Sequence, residues 1–564
     1  MEDTVAIQCI LKDVYGETTG KAAFDKILPI IQKYSDLKAR KKTDVSQEDV
    51  FLITYGDTLN KTGEAPLETL CHFAESRFKD VFSTIHILPF FPYSSDDGFS
   101  VVDFFAVNPE LGNWKDIERL GRVFRLMFDL VLNHVSSKSE WFRDYLDEKP
   151  HCKDLAIEVD PSTDLSLVTR PRSLPLLTRF DKTSGDTVHV WTTFSADQID
   201  LNYKSVDVLE KMVKVLLFYV KKGAAVIRFD AVAYLWKEIG TSCIHLRPAH
   251  QMVQLFRKIL DIAAPDTLLI TETNVPHQEN VSYFGDGKNE AQMVYNFTLP
   301  PLLLYTFVRQ DSGALSRWAE CLRINSPDNT FFNFTASHDG IGLRPLEGIL
   351  AREEIEKLID IVKKNGGGVS YKRDPDGVDS PYELNITYID ALLSPENKND
   401  PRHIPRFLAS QAIQLILPGV PAIYIHSILG SRNWIEGVRQ TRSQRAVNRE
   451  KLRVNDVLSQ LKDPETFRSR IFYDFIHMIK TRRKQSAFHP TADFEILHID
   501  PKVFAVVRRS KEQKIYTITN ISSGRAKVSL SAAKAPYRMR DLISGDAFPT
   551  DALTLNPYQF LWLL

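Results

Sequence analysis

The stretch AAVIRFDAV (224–232) is an apolar, β-branched run that carries two charged residues, Arg228 and Asp230, on alternate positions. Side chains alternate along a strand, so these two point the same way and lie within pairing reach. A strand that is otherwise apolar on both faces belongs inside a covered parallel sheet. Seven further runs share this character: VFLITYGDTL (50–59), TIHILPFF (84–91), RLMFDLVLNHV (125–135), TLLITETN (267–274), QMVYNFTL (292–299), NTFFNFTASHD (329–339) and VPAIYIHSILG (420–430). A longer helix-like segment follows each. Eight strands alternating with helices predict an α/β fold, a (β/α)8 TIM barrel; the alternative is an open doubly wound sheet.

Uneven spacing locates the insertions. About 90 residues separate the third and fourth runs, and about 80 the seventh and eighth. Both insertions would rise from the C-terminal face of the strands, where barrel active sites are built. The expected layout is a helical extension over 1–47, then the barrel over 48–488. The barrel holds an inserted domain B at about 136–200 and a second insertion at about 342–405. In the extension, AAFDKILPIIQKY has a helical apolar period, and the charged run DLKARKKTD (36–44) reads as a solvated face. After about residue 489 the texture changes to period-two runs such as KVFAVVRRS and KIYTITNIS, which predict an antiparallel β-domain over 489–564.

Composition excludes several classes. With 43% apolar residues and a formal net charge of -1, the chain has no global positive field to collect nucleic-acid phosphates or a membrane surface. The longest apolar stretch, LILPGVPAIYI (415–425), is broken by proline and glycine, and MEDTVAIQC lacks the basic start of a secretion signal. Five scattered cysteines fit a reducing cytoplasm.

Polar residues collect at the C-terminal ends of the runs: Asp129, Asn133, His134, Arg228, Asp230, Glu272, His338 and Asp339. One acid at a strand end is often only a helix cap. Several acids, an arginine and two histidines converging from separate strands are costly to bury unless mutual pairing or a ligand compensates. No HExxH, cysteine–histidine cluster or glycine-rich phosphate loop is visible, so neither metal nor cofactor is expected. Retaining glycosyl transfer uses one ionised carboxylate and one protonated carboxyl. Asp230, beside Arg228, fits the first role, and Glu272 fits the second.

DLVLNH (129–134), IRFDAVAY (227–234), ITETN (270–274) and FTASHDG (334–340) resemble the four signature regions of the α-amylase superfamily, glycoside hydrolase family 13, in the family's order. The resemblance implies Asp230 as nucleophile, Glu272 as general acid/base and Asp339 as transition-state stabiliser. It implies that Arg228 holds the nucleophile and that His134 and His338 contact sugar hydroxyls. Ser337 departs from the usual Asn, and Tyr234 stands where amylases carry Lys or His, which argues against a polymer-binding site.

HILPFFPYSSDDGFS (86–100), KEIGTSC (237–243), LPPLLL (299–304) and LPGVPAIYI (417–425) are similar to sucrose phosphorylases. That likeness implies a closed glucose pocket shaped by Asp96, Phe99 and Phe194, with Arg445 of QRAVNR (444–449) near the donor sugar. From RPR (170–172) it implies Arg172 at the phosphate, with Arg170 beside it and Tyr382 on the partner loop. SPYELNITY (380–388) places Glu383 where those enzymes have Gln. With VTRPRSLPLLT (168–178), WTTFSADQIDLNY (191–203) and HSILGSRN (426–433), the chain looks instead like the glucosylglycerate phosphorylases. The implied partners are small molecules: an α-glucoside, inorganic phosphate and D-glycerate. Glucosylglycerol phosphorylase, sucrose phosphorylase, a simple hydrolase and an inactive sugar-binding barrel are the alternatives. Arg170, Arg172, Lys372 and Arg373 are all candidates for the acceptor carboxylate, and Glu383 is expected to bond an acceptor hydroxyl or orient a loop arginine.

Overall fold

The computed structural model describes residues 2–35, 45–324, 326–374 and 377–564. All eight apolar runs are strands: β1 (Phe51–Thr54), β2 (Thr84–Ile87), β3 (Arg125–Leu130), β4 (Ala224–Phe229), β5 (Leu268–Thr271), β6 (Met293–Tyr295), β7 (Thr330–Phe334) and β8 (Val420–Tyr424). They pair in parallel, in sequence order, and β1 closes on β8. The structure is therefore the closed barrel and not the open sheet. Its strands are short and almost wholly buried, which explains why they read as continuous apolar runs without polar alternation.

Register decides what the barrel mouth looks like. Asp129 of β3 lies opposite Arg228 of β4, which in turn lies opposite Ile270 of β5. Asp129 and Arg228 thus project side by side, and Asp230 follows one pleat further up.

Both insertions carry structure of their own. After β3, His134–Ser136 pairs antiparallel with Gln198–Asp200, and Leu177–Asp181 with Thr187–Trp191. After β7, Ile341–Gly342, Gly368–Arg373 and Asp379–Asn385 form a three-stranded antiparallel sheet beside the helix Arg352–Lys364. The C-terminal region is a four-stranded antiparallel sheet, Asp493–Asp500, Val503–Arg509, Lys514–Asn520 and Phe560–Leu563, with two smaller strand pairs.

At the N-terminus, α1 (Glu2–Tyr15) and α2 (Glu17–Tyr34) form a hairpin on the outside of the barrel. A side chain at Gly20 would lie 2.6 Å from the Leu11 carbonyl, so close helix approach requires glycine there. Tyr15 donates a hydrogen bond to the Tyr203 carbonyl (2.7 Å), and Lys26 pairs with Glu210 (2.9 Å). The charged run 36–44 lies outside the described residues.

Two fully buried arginines bind backbone carbonyls where the barrel meets the C-terminal sheet, and Arg508 reaches across from the sheet itself. Arg508 donates to the carbonyls of Ile416 and His489, both at 2.6 Å. Arg482 donates to those of Leu415 (2.7 Å), Gln47 (2.5 Å), Gly419 and Phe488. One guanidinium thereby satisfies several carbonyls that would otherwise be buried unbonded. Arg482→Met should therefore destabilise the fold by about 3 kcal/mol or more, each orphaned group costing about 1–3 kcal/mol. A thermal unfolding midpoint equal to that of the parent protein would show that water reaches these carbonyls.

Candidate active site

A cavity opens at the C-terminal ends of the strands, with about 520 Å³ of empty space including its mouth. Asp96, Phe99, His134, Arg172, Phe194, Asp230, Glu272, His338, Asp339, Tyr382, Glu383 and Arg445 line it, and Arg228 lies beneath them.

Its floor is an ion cluster. Arg228 is 1% exposed and donates through Nη1 both to Asp129 and, at 2.9 Å, to Asp230 Oδ1, while Nη2 lies 3.9 Å from Glu272. The far oxygen of Asp129 is 2.7 Å from His86 Nε2. Against the effect of burial, His86 and Arg228 bring the Asp129 carboxyl down to about 2. Asp230 behaves differently from the sequence expectation, in which Arg228 simply keeps it ionised. Burial raises its carboxyl, Arg228 opposes this with a charge it shares with Asp129, and Glu272 raises it again. Burial likewise raises Glu272, helped by Asp339 and opposed by Arg228. Two neighbouring carboxyls, both pushed up, retain a proton between them well above the ordinary carboxylate range. Direct bonding of Arg228 to Asp230 favours that proton on Glu272. Ala231, held at φ 50° in the left-handed region, turns its N–H onto Glu272 Oε2 (3.0 Å) and fixes that side chain.

Opposite this floor, the segment Gln444–Asn448 and the residue that follows it bring in two further cations, Arg445 and Arg449. Arg445 binds Asp339 Oδ1 (2.7 Å) and clasps Glu383 with two hydrogen bonds of 2.5 and 3.2 Å. Arg449 binds Asp97 (2.7 Å) and the His338 carbonyl (2.8 Å). Burial would raise Asp339, but Arg445, His338 and Arg449 overcome it and hold the carboxyl well below its ordinary value. Ser337 accepts the Asp339 backbone N–H (3.2 Å), so the departure from Asn keeps a polar support for this turn. Burial lowers His338 to about 3 and also lowers His134, so both rings are neutral hydrogen-bonding groups at neutral pH. The His338 ring stacks on Phe99 at 4.6 Å. The turn that presents Phe99 is strained: Asp96 and Asp97 have φ of 52° and 48°, and at Gly98 (φ 111°) a side chain would strike the Pro89 carbonyl.

A model of the α-amylase catalytic domain matches residues 81–323, and one of the maltogenic amylase C-terminal domain matches residues 494–562. The chain is 45% identical to the glucosylglycerate phosphorylase of Escherichia coli (strain K12) over 98% of this chain and 98% of that relative. To the glucosylglycerate phosphorylase of Spirochaeta thermophila it is also 45% identical, over 100% and 99% of the two chains. This chain belongs to glycoside hydrolase family 13, in the sucrose phosphorylase subfamily. Among solved structures it resembles the sucrose 6F-phosphate phosphorylase of Thermoanaerobacter thermosaccharolyticum, with a TM-score of 0.74 at 25% identity, covering 90% of this chain and 98% of that one.

Within that family frame, the structure places three of the four candidate acceptor cations elsewhere. Arg170 does not line the cavity; its guanidinium turns back onto the Leu174 carbonyl and lines a separate outer pocket. Pro171 divides the RPR segment, and only Arg172 faces inward. Lys372 and Arg373 do not reach the cavity either. Lys372 pairs with Asp374 (3.2 Å), and Arg373 with Asp379 (2.8 Å). Among the described residues, one trio could offer metal ligands close together, Asp144, His151 and Cys152. It sits in the insertion after β3, apart from the cavity, and its Asp144 already bonds Lys149 at 2.6 Å.

Gln198, Ala231, Asn274 and Phe297 also line the cavity, although the sequence reading assigned them no role. Asn274 and Phe297 lie just past β5 and β6. The strand-end rule that picked out Asn133 reaches Asn274 in the same way, and it finds Phe297 only if extended to aromatic residues.

Lys237 escaped notice for another reason: it acts through a carboxylate far away in sequence. Its buried ammonium bonds Asp200 (2.5 Å), Asn133 (2.7 Å) and the Tyr234 carbonyl. Asp200 in turn accepts from the Thr193 backbone (2.8 Å) and hydroxyl (2.7 Å), which fixes the turn carrying Phe194 and Gln198. Lys237→Met leaves Asp200 buried without its cation, so this wall should loosen and kcat/KM should fall by up to roughly 100-fold. Unaltered kcat/KM in a folded variant would show that the wall holds without the lysine.

Proposed function

We propose that this protein is a retaining glycoside phosphorylase. It reversibly converts 2-O-(α-D-glucopyranosyl)-D-glycerate and phosphate into α-D-glucose 1-phosphate and D-glycerate. The observation that carries the reading is the near full-length likeness, 45% identity over 98% of the chain, to a glucosylglycerate phosphorylase. The cavity supports it physically, with paired carboxyls sharing a proton on one side and an inward-facing Arg172 on the other.

In this mechanism the Asp230 carboxylate attacks C1 of the glucoside as the C1–O bond to glycerate breaks, and Glu272 passes its proton to the departing oxygen. A β-glucosyl ester on Asp230 results. Phosphate then attacks C1 from the vacated side, the ester bond breaks, and Glu272 takes the phosphate proton. Two inversions give net retention. Asp339, held ionised by Arg445, stabilises the positive charge that develops on the sugar ring in both steps. His134, His338 and Asp96 hold the glucose hydroxyls, and Phe99 and Phe194 close the pocket around the ring. Arg172 and Tyr382 receive phosphate. The five cysteines are free thiols, which supports a cytoplasmic setting for the reaction.

The pH dependence follows from the raised Glu272 carboxyl. Glucosyl-enzyme formation needs its protonated form, so the rate persists above the usual carboxylate value of about 4.3 and is lost as pH rises through the raised one. Glu272→Gln should remove this basic limb and remain competent with α-glucosyl fluoride, whose leaving group needs no proton. Asp230→Asn should lose roughly three or more orders of magnitude with every donor. Equal damage by Glu272→Gln to good and poor leaving groups would contradict the acid/base role. The acceptor is tested by phosphate release from α-glucose 1-phosphate: D-glycerate should exceed glycerol and fructose in kcat/KM, and the reverse order would overturn the assignment.

A further inference from the structure

Five carboxylates face the cavity: Asp96, Asp230, Glu272, Asp339 and Glu383. An anionic acceptor entering that space loses its water and gains repulsion, so it needs a cation with donors to spare. Among the described residues lining the cavity, the permanent cations are Arg172 and Arg445. Arg445 is already charge-paired on both sides, three of its N–H donors going to Asp339 and to both oxygens of Glu383. That clasp also neutralises Glu383 as a repulsive neighbour.

Arg172 is differently placed. One of its five N–H donors goes to the Pro171 carbonyl (3.2 Å), and the Glu383 carboxylate stands off at 4.0 Å. The rings of Tyr382 and Phe194 lie 5.3 and 5.9 Å from its guanidinium carbon. Aromatic faces hold a guanidinium by cation–π attraction without consuming its N–H donors. The fork is therefore oriented and largely unspent.

We infer that Arg172 binds the carboxylate of the acceptor as well as phosphate, so that one guanidinium serves the two anions in turn and sets the preference for an acidic acceptor. This deepens the phosphorylase reading above and rests on it. Double displacement requires the alternation. C1 of the glucosyl-enzyme is open from one side, so glycerate must vacate the space that phosphate then fills. Carboxylate and phosphate each present a pair of oxygens that match the guanidinium fork. A neutral polyol has no such pair and gains nothing from Arg172.

The test measures competition between D-glycerate and glycerol for the glucosyl-enzyme formed from α-glucosyl fluoride. This donor carries no phosphate, so its own binding does not draw on the anion contact. In the parent protein transfer to D-glycerate should dominate. Arg172→Gln should lower the glycerate-to-glycerol ratio by roughly 10- to 150-fold, the worth of a charged hydrogen-bonded contact. Arg172→Lys keeps the charge without the fork and should fall between; it also carries the test if the glutamine variant does not fold. A ratio unchanged in both variants, with the parent still favouring glycerate, would overturn the inference and leave the phosphorylase reading intact. A parent preference for glycerol would remove both.

Discussion

Arg228 is the hinge of the active end of the barrel. Strand register sets it beside Asp129, and the two-residue pleat sets Asp230 above it, so one buried guanidinium answers two carboxylates and approaches a third. Removing it would strand buried negative charge, a loss of about 3–5 kcal/mol for a broken buried pair. The arrangement also limits how far Asp230 can be charged. Because Asp129 takes much of the arginine's field, burial and Glu272 still raise the Asp230 carboxyl. Only Asp230 of the pair is bonded directly by the arginine, the asymmetry that divides one ionised from one protonated carboxyl in a shared pocket.

The opposite wall repeats the device with different chain segments. Arg445 and Arg449 come from the stretch after β8, whereas their partners Asp96, Asp97, Asp339 and Glu383 come from the loops after β2 and β7. These ion pairs lock three loops into one rim. Carboxylates still outnumber cations along the lining, which suits a sugar that becomes positively charged at the transition state. The same surplus repels anions from the cavity, and among the described lining residues Arg172 is the cation least engaged by carboxylates.

Much of this was legible from the chain. Parallel strands covered on both faces must be apolar, so eight such runs stood out, and charged residues at their ends marked the mouth. The residues brought together there, Asp129, Arg228, Asp230, Glu272, His338 and Asp339, all lie on or directly after barrel strands. What stayed hidden depends on contacts between distant segments. Nothing in RPR distinguishes Arg170 from Arg172 until the fold turns one outward onto Leu174 and the other inward. The clasp of Glu383 by Arg445 spans 62 positions, and the bond from Lys237 to Asn133 spans 104. The division of Arg228 between two acids followed from β3–β4 register, which the apolar pattern does not encode.

We propose that this cluster makes Asp230, and no other carboxylate, the nucleophile that bonds to C1 of the sugar. The most direct measurement is mass spectrometry of the Glu272→Gln protein quenched in acid during reaction with α-glucosyl fluoride. Without its acid/base residue, the variant should form the glucosyl ester faster than it resolves it. A peptide containing Asp230, heavier by one glucosyl residue, is the predicted result. The same adduct on a peptide carrying Asp129, Asp339 or Glu383, or turnover with no adduct on any peptide, would contradict the account.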